Sequence, residues 1–203
     1  GVFRTPKPVL ENGLDVRFVV NTIAPYLLTQ RLLPMLGNSG RVVNLSSAAQ
    51  SPVDLDALAG KRRLGEMSAY AQSKLAITMW SNSMADALKD RGPVFVAVNP
   101  GSLLATKMVK QGFGMAGTDI RIGVDILIRA ELSDEFETAT GKYFDNDAGQ
   151  FASPHHDALD EHVCEGAVQA IEAVLAKISL YCKNLLALHQ YRQLSKLTWL
   201  MVA

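Results

Sequence analysis

Tyr70 and Lys74 lie at i and i+4 in Tyr70-Ala71-Gln72-Ser73-Lys74, inside a stretch that reads as helix from about Ala69 to Asp90. At that spacing two side chains share a helix face, so the ammonium can lie near the phenol. A free phenol, with a pKa of about 10, is a poor base at neutral pH. A neighbouring cation favours the phenolate, which suits a tyrosine that trades a proton with an alcohol or carbonyl. Alone, the pair fits a solvent-facing tyrosine beside a lysine equally well. Ser47 follows the short apolar run Arg41 to Leu45, where a hydroxyl could bond a substrate oxygen and stabilise charge developing on it. Asn21 interrupts an apolar stripe between Val20 and Ile23 and needs hydrogen-bond partners if buried. On its own it reads as a structural bridge more readily than as a catalyst.

The elements that must position these residues follow from periodicity. Gly1 to Gly13, with Pro6 and Pro8, reads as a loop. From about Leu14 to Leu36 apolar residues recur every three or four positions, predicting a helix that Pro25 kinks or delays. Arg41 to Leu45 and Val94 to Val98 predict buried strands, with the long helix between them ended by Gly92-Pro93. Strand, helix, strand predicts a right-handed crossover in a parallel sheet, whose sites gather at the carboxyl ends of strands. Those ends are Ser46-Ser47 and Asn99-Pro100-Gly101. Further on, Ile120 to Leu132 predicts a helix, Gly141 to Phe144 a last strand and Glu161 to about Leu175 a closing helix. Residues 176–203 change character and are expected to form a helical tail outside the 1–175 domain.

Three landmarks now stand in order: Asn44-Leu45-Ser46-Ser47-Ala48-Ala49, Tyr70-Ala71-Gln72-Ser73-Lys74-Leu75 and Asn99-Pro100-Gly101. Together they resemble the short-chain dehydrogenase/reductase family, and Val19-Val20-Asn21-Thr22 resembles that family's asparagine-bearing helix. The resemblance covers roughly Gly1 to Leu175. It implies an α/β fold, the carboxyl-terminal part of a Rossmann-like, doubly wound parallel sheet. It implies an oxidoreductase that interconverts an alcohol and a carbonyl by hydride exchange with NAD or NADP. Tyr70 would be the general acid and base and, with Lys74, would contact the cofactor; Lys74 would lower the Tyr70 pKa and bond the nicotinamide ribose, and Ser47 would orient the substrate oxygen. Asn21 would support a water in a proton relay, and Pro100, Gly101 and Ser102 would border the nicotinamide.

Two departures stand out. Twenty-two residues separate Ser47 from Tyr70, and the inserted Val53 to Leu58 resembles the longer loop of the retinol-dehydrogenase-like branch. Thr106 falls one residue later than the family's usual pattern, which leaves a role toward the carboxamide open. Gly1-Val2-Phe3 resembles the end of the family's Asn-Asn-Ala-Gly segment. The first strands and their dinucleotide fingerprint are therefore expected to be missing, and this chain alone is expected to be inactive. A catalytically inactive fragment, or a dinucleotide-binding or oligomerisation module, is the alternative reading.

Gly112-Phe113-Gly114-Met115-Ala116-Gly117 matches G-x-G-x-x-G but follows no clear strand, so it predicts a mobile lid over the substrate instead of a phosphate cradle. Within that lid, Met108, Phe113, Met115 and Ile120 predict an apolar pocket for a small-molecule alcohol or carbonyl. His155, His156, Asp157, Asp160 and His162 fit no familiar zinc spacing and read as a surface loop, with no metal expected. Lys61-Arg62-Arg63 reads as a solvated face. The formal net charge is +0, so no overall field favours nucleic acid. Apolar runs are too short for a membrane span, and the two cysteines form no metal or redox motif. The expectations are a cytoplasmic protein with no nucleic-acid or membrane partner, and by resemblance a homodimer or homotetramer.

Overall fold

The computed structural model describes residues 1–200, with the side chains of residues 90 and 181–200 left undescribed. Asp15 caps the first helix through the Arg17 N–H. That helix runs as α1 (Val16–Phe18), a π turn (Val19–Ile23) and α2 (Ala24–Leu36). The expected disturbance at Pro25 is this π turn. An α-helix would donate residue 25's N–H to the Asn21 carbonyl, and proline has none, so the register widens there. Next come β1 (Arg41–Leu45), α3 (Leu55–Leu58), α4 (Glu66–Leu88) and β2 (Val94–Asn99). They are followed by α5 (Lys107–Phe113), α6 (Ile120–Leu132), β3 (Lys142–Asp145), β4 (Gln150–Ala152) and α7 (Glu161–Leu200).

The sheet order is β1-β2-β3-β4, with β1/β2 and β2/β3 parallel. Helix α4 is the crossover between β1 and β2, as the strand–helix–strand pattern predicts. The architecture is α/β and Rossmann-like, with helices on both faces. β4, beyond the last strand that the sequence marked, pairs antiparallel with β3. Only a short turn carrying Gly149 at φ 67° joins the two strands, far too few residues for a crossover. Helix α7 runs without a break to Leu200, so the expected tail continues it. The side chains that would tell whether the tail is an interaction helix lie outside the described residues.

Alternation along the strands sorts the core. Val96 and Val98 of β2 face α6 and join Ile126, Ala130, Phe136 and Phe144 in one cluster. On the opposite face, α4 meets the α1–α2 helix and α7, where Phe18, Ile23, Tyr26, Trp80 and Ile171 are buried together. Helix α4 is buried continuously from Ala71 to Ser81, with no polar face there. Its alanines and serines permit the close approach that burial on every side demands. The long insertion forms α3, capped by Asp54, which accepts from the N–H groups of Asp56 and Ala57. Lys61 and Arg62 pair with Asp56 and Asp54 at exposed positions, in keeping with a solvated basic run.

Phe136, Phe144 and Phe151 pack with ring centroids 5.1–5.2 Å apart and hold the β3–β4 hairpin against α6. Phe136→Ala should therefore lower the free energy of unfolding by about 3–5 kcal/mol in urea titration. A loss below about 1 kcal/mol would contradict this anchoring role.

Candidate active site

Asn44 of β1 and Ser46 just beyond it are polar groups turned toward α4, and each finds a partner on it. The Asn44 amide donates to the Ser81 hydroxyl at 2.7 Å. The Ser46 hydroxyl donates to the Lys74 carbonyl at 3.1 Å and lies 2.7 Å from the Thr78 hydroxyl. The Lys74 ammonium returns the contact, donating to the Leu45 carbonyl at 2.7 Å. This seam fixes the end of β1 against the first turns of α4, and so fixes Ser47 against Tyr70. Asn44 is buried and its amide is taken up by Ser81.

Ser47 is held from three directions. Its carbonyl accepts from Gln50 Nε2 at 2.9 Å and from the Tyr143 hydroxyl at 3.2 Å, while its hydroxyl accepts from the Ala49 N–H at 3.1 Å. The hydroxyl faces the Tyr70 phenol and stabilises its ionised form. Gln50 is fixed in turn by the His155 N–H at 3.0 Å. Sequence reading missed both supports: Tyr143 lies 96 residues further along the chain, and Gln50, only three residues on, looks like any loop glutamine until the turn is folded.

Lys74 is 6% exposed, and burial pulls its pKa down from 10.5 to about 8. Burial also pushes the Tyr70 phenol above its ordinary value, and the Ser47 hydroxyl offsets only part of that rise. The expected net lowering of Tyr70 by Lys74 is absent. The ammonium sits 5.8 Å from the ring centroid, bound to a backbone carbonyl and itself discouraged from carrying charge. Desolvation wins over the cation in the protein without ligand.

Asn21 lies in the π turn and is buried. Its amide donates to the Val2 carbonyl at 2.9 Å and to the Ser73 hydroxyl at 3.0 Å, and its oxygen accepts from the Val2 N–H at 2.7 Å. Ser73 then donates to the Tyr70 carbonyl at 2.7 Å. The side chain therefore ties Gly1–Phe3 to the Tyr70 turn, and both of its donors are used in doing so. Gly1 lies alongside: a Cβ there would come within 3.0 Å of Asn21 Oδ1 and 3.5 Å of Lys74 Nζ.

Pro100, Gly101 and Ser102 leave the end of β2 as a loop pinned by three residues that the sequence did not single out. Asn99 donates to Asp145 at 2.8 Å and to Asp147 at 2.9 Å. Asp147 also accepts from the Ser102 amide at 2.8 Å and its hydroxyl at 2.5 Å. Asn146 donates to the Pro100 carbonyl at 3.0 Å. Burial pushes the Asp147 carboxyl up, but its bonds from Ser102 and Asn99 prevail and hold it below the ordinary carboxylate value. Gly101 adopts φ 120°, and Leu103 follows at φ 52°, a left-handed position uncommon for a branched side chain. Thr106 accepts from the Val109 N–H and caps α5, so its hydroxyl has a structural duty.

These groups border a cavity of about 550 Å³, lined by Ser47, Tyr70, Lys74 and the Pro100–Ser102 loop. Its walls are mainly apolar, with Leu104, Met108, Val109, Phe113 and Val124 among them. The expected lid contains the ordered helix α5 on a loop closed at its base, where Ala105 and Thr118 share a 2.7 Å backbone bond. The glycine string spans the end of this helix, as its rejection as a phosphate cradle requires. Gly112 packs on Phe3, and Gly114 ends α5 at φ 68°. Gly117, at φ 80°, lets the backbone pass where a Cβ would lie 2.6 Å from the Leu103 carbonyl. His155, His156 and Asp157 form a tight polar turn away from the cavity lining. The Asp157 N–H bonds His155 Nδ1 at 3.3 Å, and its carboxylate lies 3.0 Å from His156 Nε2.

A model of the short chain dehydrogenase family matches residues 9–117, just over half of the chain. A chloroplastic short-chain dehydrogenase, TIC 32 A of Brassica napus, is 30% identical over 167 residues, covering 71% of this chain and 52% of its own. Human retinol dehydrogenase 13 is 30% identical over 183 residues, covering 80% of this chain and 54% of its own. The chain thus spans about half the length of the curated relatives it matches. Among solved structures, an uncharacterised protein from Mycobacterium paratuberculosis superposes with a TM-score of 0.69 at 23% identity, covering 86% of this chain and 63% of the other. NADPH-bound carbonyl reductase from chicken fatty liver gives 0.55 at 24% identity, covering 76% and 60%. These two establish likeness of fold. Sheet, landmarks and family match agree: the chain belongs to the short-chain dehydrogenase family.

Proposed function

We propose that this protein is an oxidoreductase that interconverts an apolar alcohol and its carbonyl with NAD or NADP, using Tyr70 to exchange the proton. The observation that carries this reading is the convergence of the Ser47 hydroxyl, the Tyr70 phenol and the Lys74 ammonium on one largely apolar cavity. Relatives that bear the names retinol dehydrogenase and polyprenol dehydrogenase support an apolar alcohol as substrate.

The residues present fit the nicotinamide end of such a dinucleotide. Lys74 has one hydrogen-bond partner among the described residues, the Leu45 carbonyl, so two of its three donors remain for a ribose. Pro100, Gly101 and Ser102 line the same cavity as Lys74, and Gly101 adopts φ 120°, a conformation that L side chains rarely take. When bound, the dinucleotide supplies the hydride exchange. The chain's own residues handle the proton. In carbonyl reduction Tyr70 donates its phenolic proton to the substrate oxygen, and Ser47 donates a hydrogen bond to the same atom as charge builds there. Lys74 stabilises the resulting phenolate across the cavity. In alcohol oxidation the direction reverses. We place the protein in the cytoplasm, acting as a homodimer or homotetramer. Among the described residues no helix is long and apolar enough to cross a membrane.

A second reading, an assembly or dinucleotide-binding module without turnover, is favoured by the exposed apolar line Leu28, Leu32 and Met35 on α2. The two readings part at Tyr70. In a protein of the relatives' full length that carries this chain, Tyr70→Phe should leave nicotinamide cofactor binding nearly unchanged and cut turnover of an apolar alcohol by about 10²–10⁴-fold. Cofactor binding with no turnover in that protein before substitution would favour the module instead.

Lys74 makes a separate prediction about stability. Its folded pKa of about 8 lies below the unfolded 10.5, so the unfolded chain binds the proton more tightly and burial of the charge costs stability at neutral pH. At about 1.4 kcal/mol per pKa unit, Lys74→Met should raise the unfolding free energy at pH 7 by up to about 3 kcal/mol. The gain should fade as pH rises from about 8 to 10.5, where both states lose the charge. Equal gains at pH 7 and pH 11 would contradict this account.

A further inference from the structure

Phe3 is buried, although it lies in a segment that reads as a loop. Its ring meets Tyr70 edge-on at a centroid distance of 5.3 Å and stacks on Phe113 of α5 at 5.4 Å. Gly112, one residue earlier in α5, packs on the same ring so closely that a Cβ would lie 2.7 Å from Phe3 Cδ1. The backbone beneath is clamped by buried polar groups. The Arg17 guanidinium, 1% exposed, donates to the Phe3 carbonyl at 2.6 Å, and Asn21 takes both the N–H and the carbonyl of Val2. Arg17 is held by Asp15 at 2.8 Å and reaches Glu66, in the first turn of the Tyr70 helix, at 3.5 Å. Two buried polar side chains thus present one aromatic ring between a reactive phenol and the helix that covers the cavity.

We propose that Phe3 is a positioning residue that couples the seating of α5 over the cavity to the placement of Tyr70. The inference rests on the reading of Tyr70 as the proton-exchanging group. Its physical basis is the Tyr70–Phe3–Phe113 stack, whose edge-on and stacked ring contacts are directional beyond simple area burial. Because protein interiors are close-packed, a displacement of α5 reaches Tyr70 through this ring. With α5 seated, Phe3 shields one side of the phenol from water. With α5 displaced, that side is wetted.

The test is a double-mutant cycle read at Tyr70 by fluorine NMR of the full chain labelled with 3-fluorotyrosine. The Tyr70 resonance is assigned by its loss in Tyr70→Phe. Phe113→Leu removes the outer ring of the stack, and Gly112→Ala presses a methyl into the Phe3 ring. Each should shift the Tyr70 resonance in the unsubstituted protein. In the Phe3→Leu background the same changes should lose most of that shift, and Phe3→Tyr should restore it. In Phe3→Leu the alkaline titration midpoint of Tyr70 should also fall, as water reaches the phenol. Shifts of equal size in both backgrounds, or no shift from either α5 substitution, would overturn the coupling. If Gly112→Ala fails to fold, the Phe113→Leu cycle decides alone. The measurement needs neither cofactor nor turnover. Tyr70→Phe with undiminished activity would remove the catalytic reading and leave the coupling standing, whereas a failed cycle alongside an inactive Tyr70→Phe would do the reverse.

Discussion

The buried polar seam between β1 and α4 is the constraint on which the site depends. Asn44–Ser81, Ser46–Thr78 and Lys74–Leu45 join a strand and a helix whose remaining contacts are apolar and non-directional. A hydrogen bond adds only about 0.5–1.5 kcal/mol net, whereas leaving a buried partner unpaired costs about 1–3 kcal/mol. The seam therefore contributes less to stability than to register. A one-residue slip of β1 would turn Asn44 and Ser46 away from α4 and cost both side chains their partners there, while Ser81 and Thr78 would keep their bonds to the Ile77 and Lys74 carbonyls. It would also carry Ser47 to the other face of the sheet. The geometry of Ser47 against Tyr70 is thus a consequence of polar satisfaction in the core, two turns away from the chemistry.

The same burial sets the electrostatics. Helix α4 is enclosed from Ala71 to Ser81, so a charge on that stretch loses hydration. Lys74 keeps its place through one backbone carbonyl, and its pKa falls. Tyr70, one turn earlier, rises for the same reason. The two shifts invert the ordinary order of lysine and tyrosine, so the Lys74 ammonium gives up its proton more readily than the Tyr70 phenol does. A cation brought closer to the phenol would move Tyr70 down. A low-dielectric site strengthens such contacts as much as it penalises their absence.

What the sequence reveals follows the range of the interaction. The strands Arg41–Leu45 and Val94–Asn99, the helix between them and the Tyr70–Lys74 spacing all have local signatures, and the structure contains each of them. Ser47 is legible because it ends a strand whose apolar run is visible. The supports of the site are not. Asp145, Asn146 and Asp147 look like any polar turn until β3 is laid beside β2, which brings them to Asn99 and Ser102. Helix α5 is masked by its glycines, which suggest mobility; its Thr106 cap and the close approach at Gly117 become meaningful only in three dimensions. β4 is too short to show a period.

The first residues carry the same lesson in a sharper form. Gly1–Phe3 belongs to no strand, yet backbone groups that are buried must be paired. Asn21 and Arg17 do that pairing from the neighbouring helix. An asparagine interrupting an apolar stripe, and an arginine just before it, are therefore the sequence trace of an irregular segment packed alongside. Asn21 reads first as a structural bridge, then by resemblance as part of a proton relay. Its hydrogen bonds reconcile the two. The amide spends its donors on Val2 and Ser73, and Ser73 bonds the Tyr70 carbonyl. Asn21 thereby ties Gly1–Phe3 to the Tyr70 turn, and under the proposed reaction its part would run through the placement of Tyr70 and Phe3.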